Sequence, residues 1–156
     1  HGNEPSHHIS YMYAYAGQQW KTAEKVRYIM DEFYKDTPDG IIGNEDCGQM
    51  SAWYILSSMG FYQMNPADGV YVFGSPRFDK MSVKVRGGKT FTVEAENNSK
   101  ENIYIQKVFL NGKPYKKTYI IYDDILNGST LKFVMGKKPN KAFGKAAVDR
   151  PIVLNK

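Results

Sequence analysis

Two short stretches hold the residues whose types and spacing could do chemistry: "HGNEPSHH" at positions 1–8 and "GNEDCGQ" at 43–49. Each sets an amide and an acid beside glycine: Asn3 with Glu4, and Asn44 with Glu45 and Asp46. If the two loops converge, Glu4, Glu45 and Asp46 offer charged oxygens, and Asn3, Asn44 and Gln49 offer neutral ones. Oxygen donors of this kind suit a hard cation such as calcium, whereas zinc would be left with His7, His8 and Cys47, which lack any standard ligand spacing. The same acids suit cleavage of a sugar bond, where one carboxylate activates water while a second acid protonates the departing oxygen.

Each stretch also has a plainer reading. Asn3 to His8 could be a capped helix start whose histidines satisfy buried hydrogen bonds. Asn44 to Asp46 could cap a helix, because acids at an N-terminus are stabilised by about 0.3–1 kcal/mol. Capping does not require two consecutive acids enclosed by glycines. Cys47 is the one cysteine, so no intramolecular disulfide forms, and no general base can be placed beside it from the sequence.

The elements that must position these residues change character along the chain. "EPSHHISYMYAYAG" predicts a helix with Pro5 in its first turn, Ile9, Met12 and Ala16 on one side and Gly17 as its stop. A second helix follows in "QWKTAEKVRYIMDEFYKD", striped by Trp20, Ala23, Val26, Met30 and Phe33, and "TPDG" breaks it. The third runs from Gln49 to Met59, with Met50, Trp53, Leu56 and Met59 along one side and Gly60 at its end. From Val70 the period becomes two, through "VYVFGSP", "MSVKVRGG", "KTFTVEAENN", "NIYIQKVFLNGKP", "TYIIYDDILNG" and "TLKFVMG". Phe91, Val93 and Ala95 face one way, and Thr92, Glu94 and Glu96 the other. With "RGGK", "LNGK" and "LNGS" as hairpin or loop connections, the sheet is expected to be mostly antiparallel. Helices followed by strands give an α+β class. The expected divisions are 1–64 for the helical part carrying the loops, 70–144 for a β-rich segment and 145–156 for a tail.

Charge and composition exclude several functions. The net charge is +5, and five lysines without an acid lie between Lys132 and Lys145. With no nucleic-acid recognition element beside it, this cluster reads as a solvated chain end and argues against a nucleic-acid partner. No apolar run approaches the roughly 20 residues of a membrane helix. Aromatic residues make up 14% of the chain, which suits both ordinary cores and sugar-stacking surfaces.

The stretches "GNEPSHHISYMYAYAGQQWKTAEKVR", "PDGIIGNEDCGQMSAWYILSSMGFYQMNP", "VYVFGSPRFDKMSV" and "NIYIQKVFLNGKPY" resemble, in that order, the C-terminal part of the calcium-dependent exo-α-mannosidases of glycoside hydrolase family 92. The resemblance extends to about Gly144. It implies late helices of an (α/α)6-barrel catalytic domain followed by a β-rich C-terminal segment, and hydrolysis of terminal α-mannosides, α-1,2-linked above all, with inversion. It also implies Asp46 as general base, Asn44 at a position where some relatives carry a second aspartate, and Glu45 where aspartate is common. Glu4 and Asn3 would lie at the calcium, with His7, His8 and Gln49 as sugar contacts. The partners are a mannose-containing glycan and the upstream part of the same polypeptide, which carries the general acid and without which this fragment is expected to be inactive. Resemblance to bacterial glycan-degrading enzymes implies a periplasmic, cell-surface or secreted location.

The alternative from another class is a non-catalytic carbohydrate-binding or structural β-module, with glycan bound on strands near Tyr104, Tyr119 and Tyr122 and the acidic loop serving only as a cap. A phosphorolytic relative would need a phosphate site, and no glycine-rich cradle or arginine cluster is legible for one.

Overall fold

A computed structural model describes residues 1–151. Four helices, α1 (Met12–Tyr15), α2 (Gln19–Phe33), α3 (Gln49–Met59) and α4 (Tyr122–Leu126), accompany eight strands. The strands are β1 (Phe61–Tyr62), β2 (Val70–Phe73), β3 (Lys80–Lys84), β4 (Thr90–Glu96), β5 (Tyr104–Leu110), β6 (Lys113–Pro114), β7 (Tyr119–Ile121) and β8 (Thr130–Gly136). They form a three-stranded antiparallel sheet, β1-β2-β7, and a five-stranded sheet, β3-β4-β8-β5-β6. Among the described residues one pairing is parallel, β4 with β8, and the strands are mostly antiparallel, as expected for this α+β chain.

The small sheet is the middle of three layers. Val70, Val72 and Tyr119 project from it into a core with Tyr11, Ala14, Val26, Met30 and Trp53 of the helical part. Phe61, Phe73 and Ile120 project the other way, into a core with Phe91, Val93, Ile105, Leu131 and Phe133 of the large sheet. Alternation along β2 and β7 therefore splits one sheet between two cores. Arg27 on α2 reinforces the junction. It is buried and donates to Ser75, to Pro76 O and, at 2.7 Å, to Asn98 Oδ1, while Arg77 pairs with Asp31 at 2.7 Å.

The α3 stripe buries Met50, Trp53 and Met59 as its periodicity requires, and β4 buries Phe91, Val93 and Ala95 in strict alternation. Other expectations change. The first segment is not one helix but two 3-10 turns, Glu4–Ser6 and Ile9–Tyr11, leading into the single turn of α1. The tighter winding rotates the faces, so His7, Ser10, Tyr11 and Ala14 are buried, while Ile9 and Met12 are 54% and 52% exposed. "TYIIYDDILNG" continues its strand only to Ile121. There Asp124 accepts the Ile121 N–H at 3.1 Å and caps α4. The tyrosines offered as a sugar platform consequently separate: Tyr119 is buried, Tyr104 is tied to Glu24 Oε1 at 2.6 Å, and Tyr122 lies on a helix.

The lysine-rich stretch keeps Lys137, Lys138, Lys141 and Lys145 exposed, but the segment is packed and is no loose end. Phe143 packs on the large-sheet core, Gly144 lies against Thr118, and Asp149 O accepts both the backbone N–H and the hydroxyl of Thr118. Residues 152–156 of the expected tail lie outside the described residues.

Candidate active site

The glycine-flanked loops meet. Gly43 has φ +80, and a Cβ built on it would collide with Gly2 O. Glycine at position 43 lets these backbones approach so closely, which brings the start of the Asn3–Glu4 segment against the start of the Asn44–Asp46 turn.

That turn is strained. Asp46, Cys47 and Gly48 follow one another in the left-handed region at φ 37, 55 and 83. For the two non-glycine residues this costs about 1–2 kcal/mol each. Asp46 O accepts the Gln49 N–H at 3.1 Å, and Glu45 Oε1 accepts the backbone N–H of Ser51 at 3.0 Å, in the first turn of α3. Glu45 is thereby engaged as the helix cap. The exposed carboxylate of Asp46 has no hydrogen bond or ion pair among the described residues, and the same is true of the Asn44 side chain.

Gln49, three residues beyond Asp46, lines a cleft of about 370 Å³ with Glu4, His7, His8 and Tyr62, whereas Asn44, Glu45 and Asp46 do not line it. His7 forms its floor, 1% exposed. Gln49 presents its side-chain NH2 to His7 Nδ1 at 3.4 Å and to the Tyr62 hydroxyl at 3.1 Å. With Nδ1 accepting, Nε2 carries the proton and points it at Met50 Sδ, 3.2 Å away. Burial pushes the His7 imidazole below its ordinary 6.5, while the Glu4 carboxylate pulls the other way. Both ring nitrogens thus face protein groups, so His7 orients Gln49 from beneath. His8 is exposed at the rim.

The sequence reading missed the aromatic wall behind this floor. His1 stacks on His7 with centroids 4.5 Å apart, and its Nε2 lies 2.8 Å from the Tyr34 hydroxyl. Trp53 donates its indole N–H to His7 O at 3.1 Å and stacks against Tyr34 at 5.8 Å. Trp53 was legible as core through its period. Tyr34 and Tyr62 carried no signal, because the loop and hairpin that bring them here obey no period.

Glu4 is half-buried in the cleft and, like the Asn3 side chain, makes no hydrogen bond among the described residues. Their oxygens fit calcium by type but not by number, since the ion takes six to eight. No group of three His, Cys, Asp or Glu side chains able to hold a metal occurs among the described residues. The rest of such a shell would come from water, a sugar or another segment.

The helical part thus presents a strained acidic turn and, at Gln49, a polar cleft next to it. The glycosyl hydrolase family 92 catalytic domain matches residues 1–137, and the chain belongs to that family. It is 42% identical, with a TM-score of 0.95, to a family GH92 α-mannosidase from Bacteroides thetaiotaomicron, covering 100% of this chain and 21% of that one. A family GH92 inverting mannosidase from the same bacterium is 40% identical with a TM-score of 0.91, covering 97% and 20%. An uncharacterized secreted glycosidase of Arthroderma benhamiae is 37% identical over 153 residues, 96% of this chain and 20% of its own length. The chain thus spans about a fifth of the length of these relatives.

Proposed function

We propose that this chain is the C-terminal part of an inverting, calcium-dependent exo-α-mannosidase acting on terminal α-mannosides, α-1,2-linked above all, and that its helices are late members of an (α/α)6 barrel. The observation that carries the reading is the meeting of the two loops at Gly2 and Gly43, with Glu45 engaged and Asp46 the carboxylate left unengaged in the acidic turn. The named activities of the Bacteroides relatives support the substrate class.

Asp46 is the general base, taking a proton from the water that attacks the anomeric carbon. Glu45 holds the first turn of α3 so that Asp46 stays in place, and Asn44 flanks it. An inverting pair needs its carboxyl groups roughly 6.5–9.5 Å apart, a separation that neighbours in sequence do not provide across one bond. The general acid therefore comes from another segment, which the family resemblance puts in upstream polypeptide that would also cover the exposed Ile9 and Met12. Gln49, steadied by His7 and Tyr62, and His8 at the rim contact the terminal sugar. Glu4 and Asn3 would supply oxygens to calcium. Bound there, the ion would grip vicinal mannose hydroxyls and favour a distorted ring. The similarity to a protein named as a secreted glycosidase supports a periplasmic, cell-surface or secreted location, and recovery of the parent protein from the cytosol on cell fractionation would overturn it.

The test follows an α-linked mannobiose by proton NMR with the full-length parent protein. Early β-mannose that ceases to form on chelation is expected. Early α-mannose, or turnover indifferent to chelation, overturns the inverting or the calcium-dependent part of the reading respectively.

A further inference from the structure

A second cleft of about 440 Å³ lies at the start of α2 and shares no lining residue with the candidate active site. Lys21, Lys141, Lys145 and Arg150 line it together with Trp20, and no acidic side chain does. None of these four cations has an ion-pair partner among the described residues. The Trp20 ring gathers two of them, with the ammonium groups of Lys21 and Lys141 each 5.3 Å from its centroid. Arg150 packs flat on the backbone at Gly17, where a Cβ would meet the guanidinium at 2.9 Å. One guanidinium nitrogen donates to Lys145 O at 2.7 Å, yet Nε is buried without a partner among the described residues. The N-terminus of α2 adds its own positive end: it has no side-chain cap and no acid in its first turn.

Four like charges lining one cleft repel one another, and a buried guanidinium N–H without an acceptor is costly. An oxyanion relieves both. We propose that this cleft binds a phosphate group, free or carried on a sugar, through Lys21, Lys141, Lys145 and Arg150, with Trp20 as the face on which a sugar ring would lie. The site is assembled from residues about 120 positions apart, so no cradle is legible in the sequence. It is separate from the catalytic cleft and implies no phosphorolysis there.

The test uses the full-length parent protein and titrates inorganic phosphate and mannose 6-phosphate against chloride at matched ionic strength, read by calorimetry and by the shift in Tm. Saturable binding is expected for both, falling at least about tenfold in a Lys141→Gln/Arg150→Gln double variant. It should be unchanged in Lys137→Gln, a lysine paired with Glu101 elsewhere. Trp20→Leu should weaken only mannose 6-phosphate if a sugar phosphate is the natural ligand, and neither ligand if free phosphate is. Absence of saturable binding, or equal binding by the double variant, overturns the proposal and would mean that carboxylates from the remaining polypeptide neutralise these cations. Mannosidase activity with an unphosphorylated substrate is expected to be unaffected by the double variant, so the two readings fail separately.

Discussion

Gly43 leans on Gly2: its φ of +80 and the carbonyl of Gly2 together leave no room for a side chain, and this contact joins the two acid-bearing loops. Gly87 has the same φ of +80 with nothing near its Cβ position. Gly87→Ala thus bears only the left-handed backbone cost of about 1 kcal/mol. Gly43→Ala is expected to lose that and the loop contact as well, about 2–4 kcal/mol in all, with activity of the parent enzyme falling alongside. Equal losses of Tm in the two variants would dissolve the claim that this contact holds the site together.

Asp46 and Glu45 are adjacent but have different tasks. Asp46→Asn should lower kcat about 10²–10⁴-fold with little change in Tm, because asparagine tolerates the left-handed region as aspartate does. Glu45→Ala removes the acceptor of the Ser51 N–H, costs about 1 kcal/mol of stability and leaves kcat within a few fold. Steady-state kinetics and thermal melts of both variants decide; a Glu45 variant as impaired in kcat as the Asp46 variant would reverse the assignment.

Burial pushes the His7 imidazole below its ordinary 6.5, against the pull of the Glu4 carboxylate. Between that depressed value and 6.5, the unfolded chain binds more protons than the folded one, so stability rises with pH. The contribution is complete above 6.5 and is lost as pH falls below it. Denaturant midpoints from pH 7.5 down to 5 should therefore decline more steeply for the wild type than for His7→Gln. Parallel declines would show that His7 titrates without any penalty from its surroundings.

Arg27 bridges α2 to the β2–β3 and β4–β5 connections, and its burial lowers its pKa to about 10. Arg27→Met leaves Pro76 O and Asn98 Oδ1 without this donor and should cost about 2–4 kcal/mol. Arg27→Lys should recover only part, because one ammonium cannot span the same acceptors. Urea unfolding measures both; a methionine variant as stable as the wild type would mean that the bridge contributes nothing.

Residues 1–156 expressed alone are expected to release no mannose if, as proposed, the carboxylic acid that protonates the leaving sugar comes from upstream polypeptide. Measurable turnover by the purified fragment would place that acid within this chain.

Much of the fold was legible because burial follows period. The stripe of α3 and the alternation of β4 each name the residues that the structure buries, and the Asn111–Gly112 pair, both with positive φ, makes the hairpin from β5 to β6. Where local pattern failed, a competing local bond or tighter winding won. Asp124 turned the end of a strand-like run into α4, and 3-10 turns moved the buried face of the first segment from Ile9 and Met12 to His7 and Tyr11.

By itself, the sequence determined which side chains carry acids and amides, where the backbone must turn at glycine, and, through long ordered motifs, the family. Those are properties of residue type and near neighbours. Only the tertiary structure decided that Gly2 abuts Gly43, that Glu45 is committed to the first turn of α3 while Asp46 is free, that Gln49 is held between His7 and Tyr62, and that lysines from both ends of the chain share Trp20. Each of these depends on two segments meeting in space, and the distance between segments is set by how three layers pack.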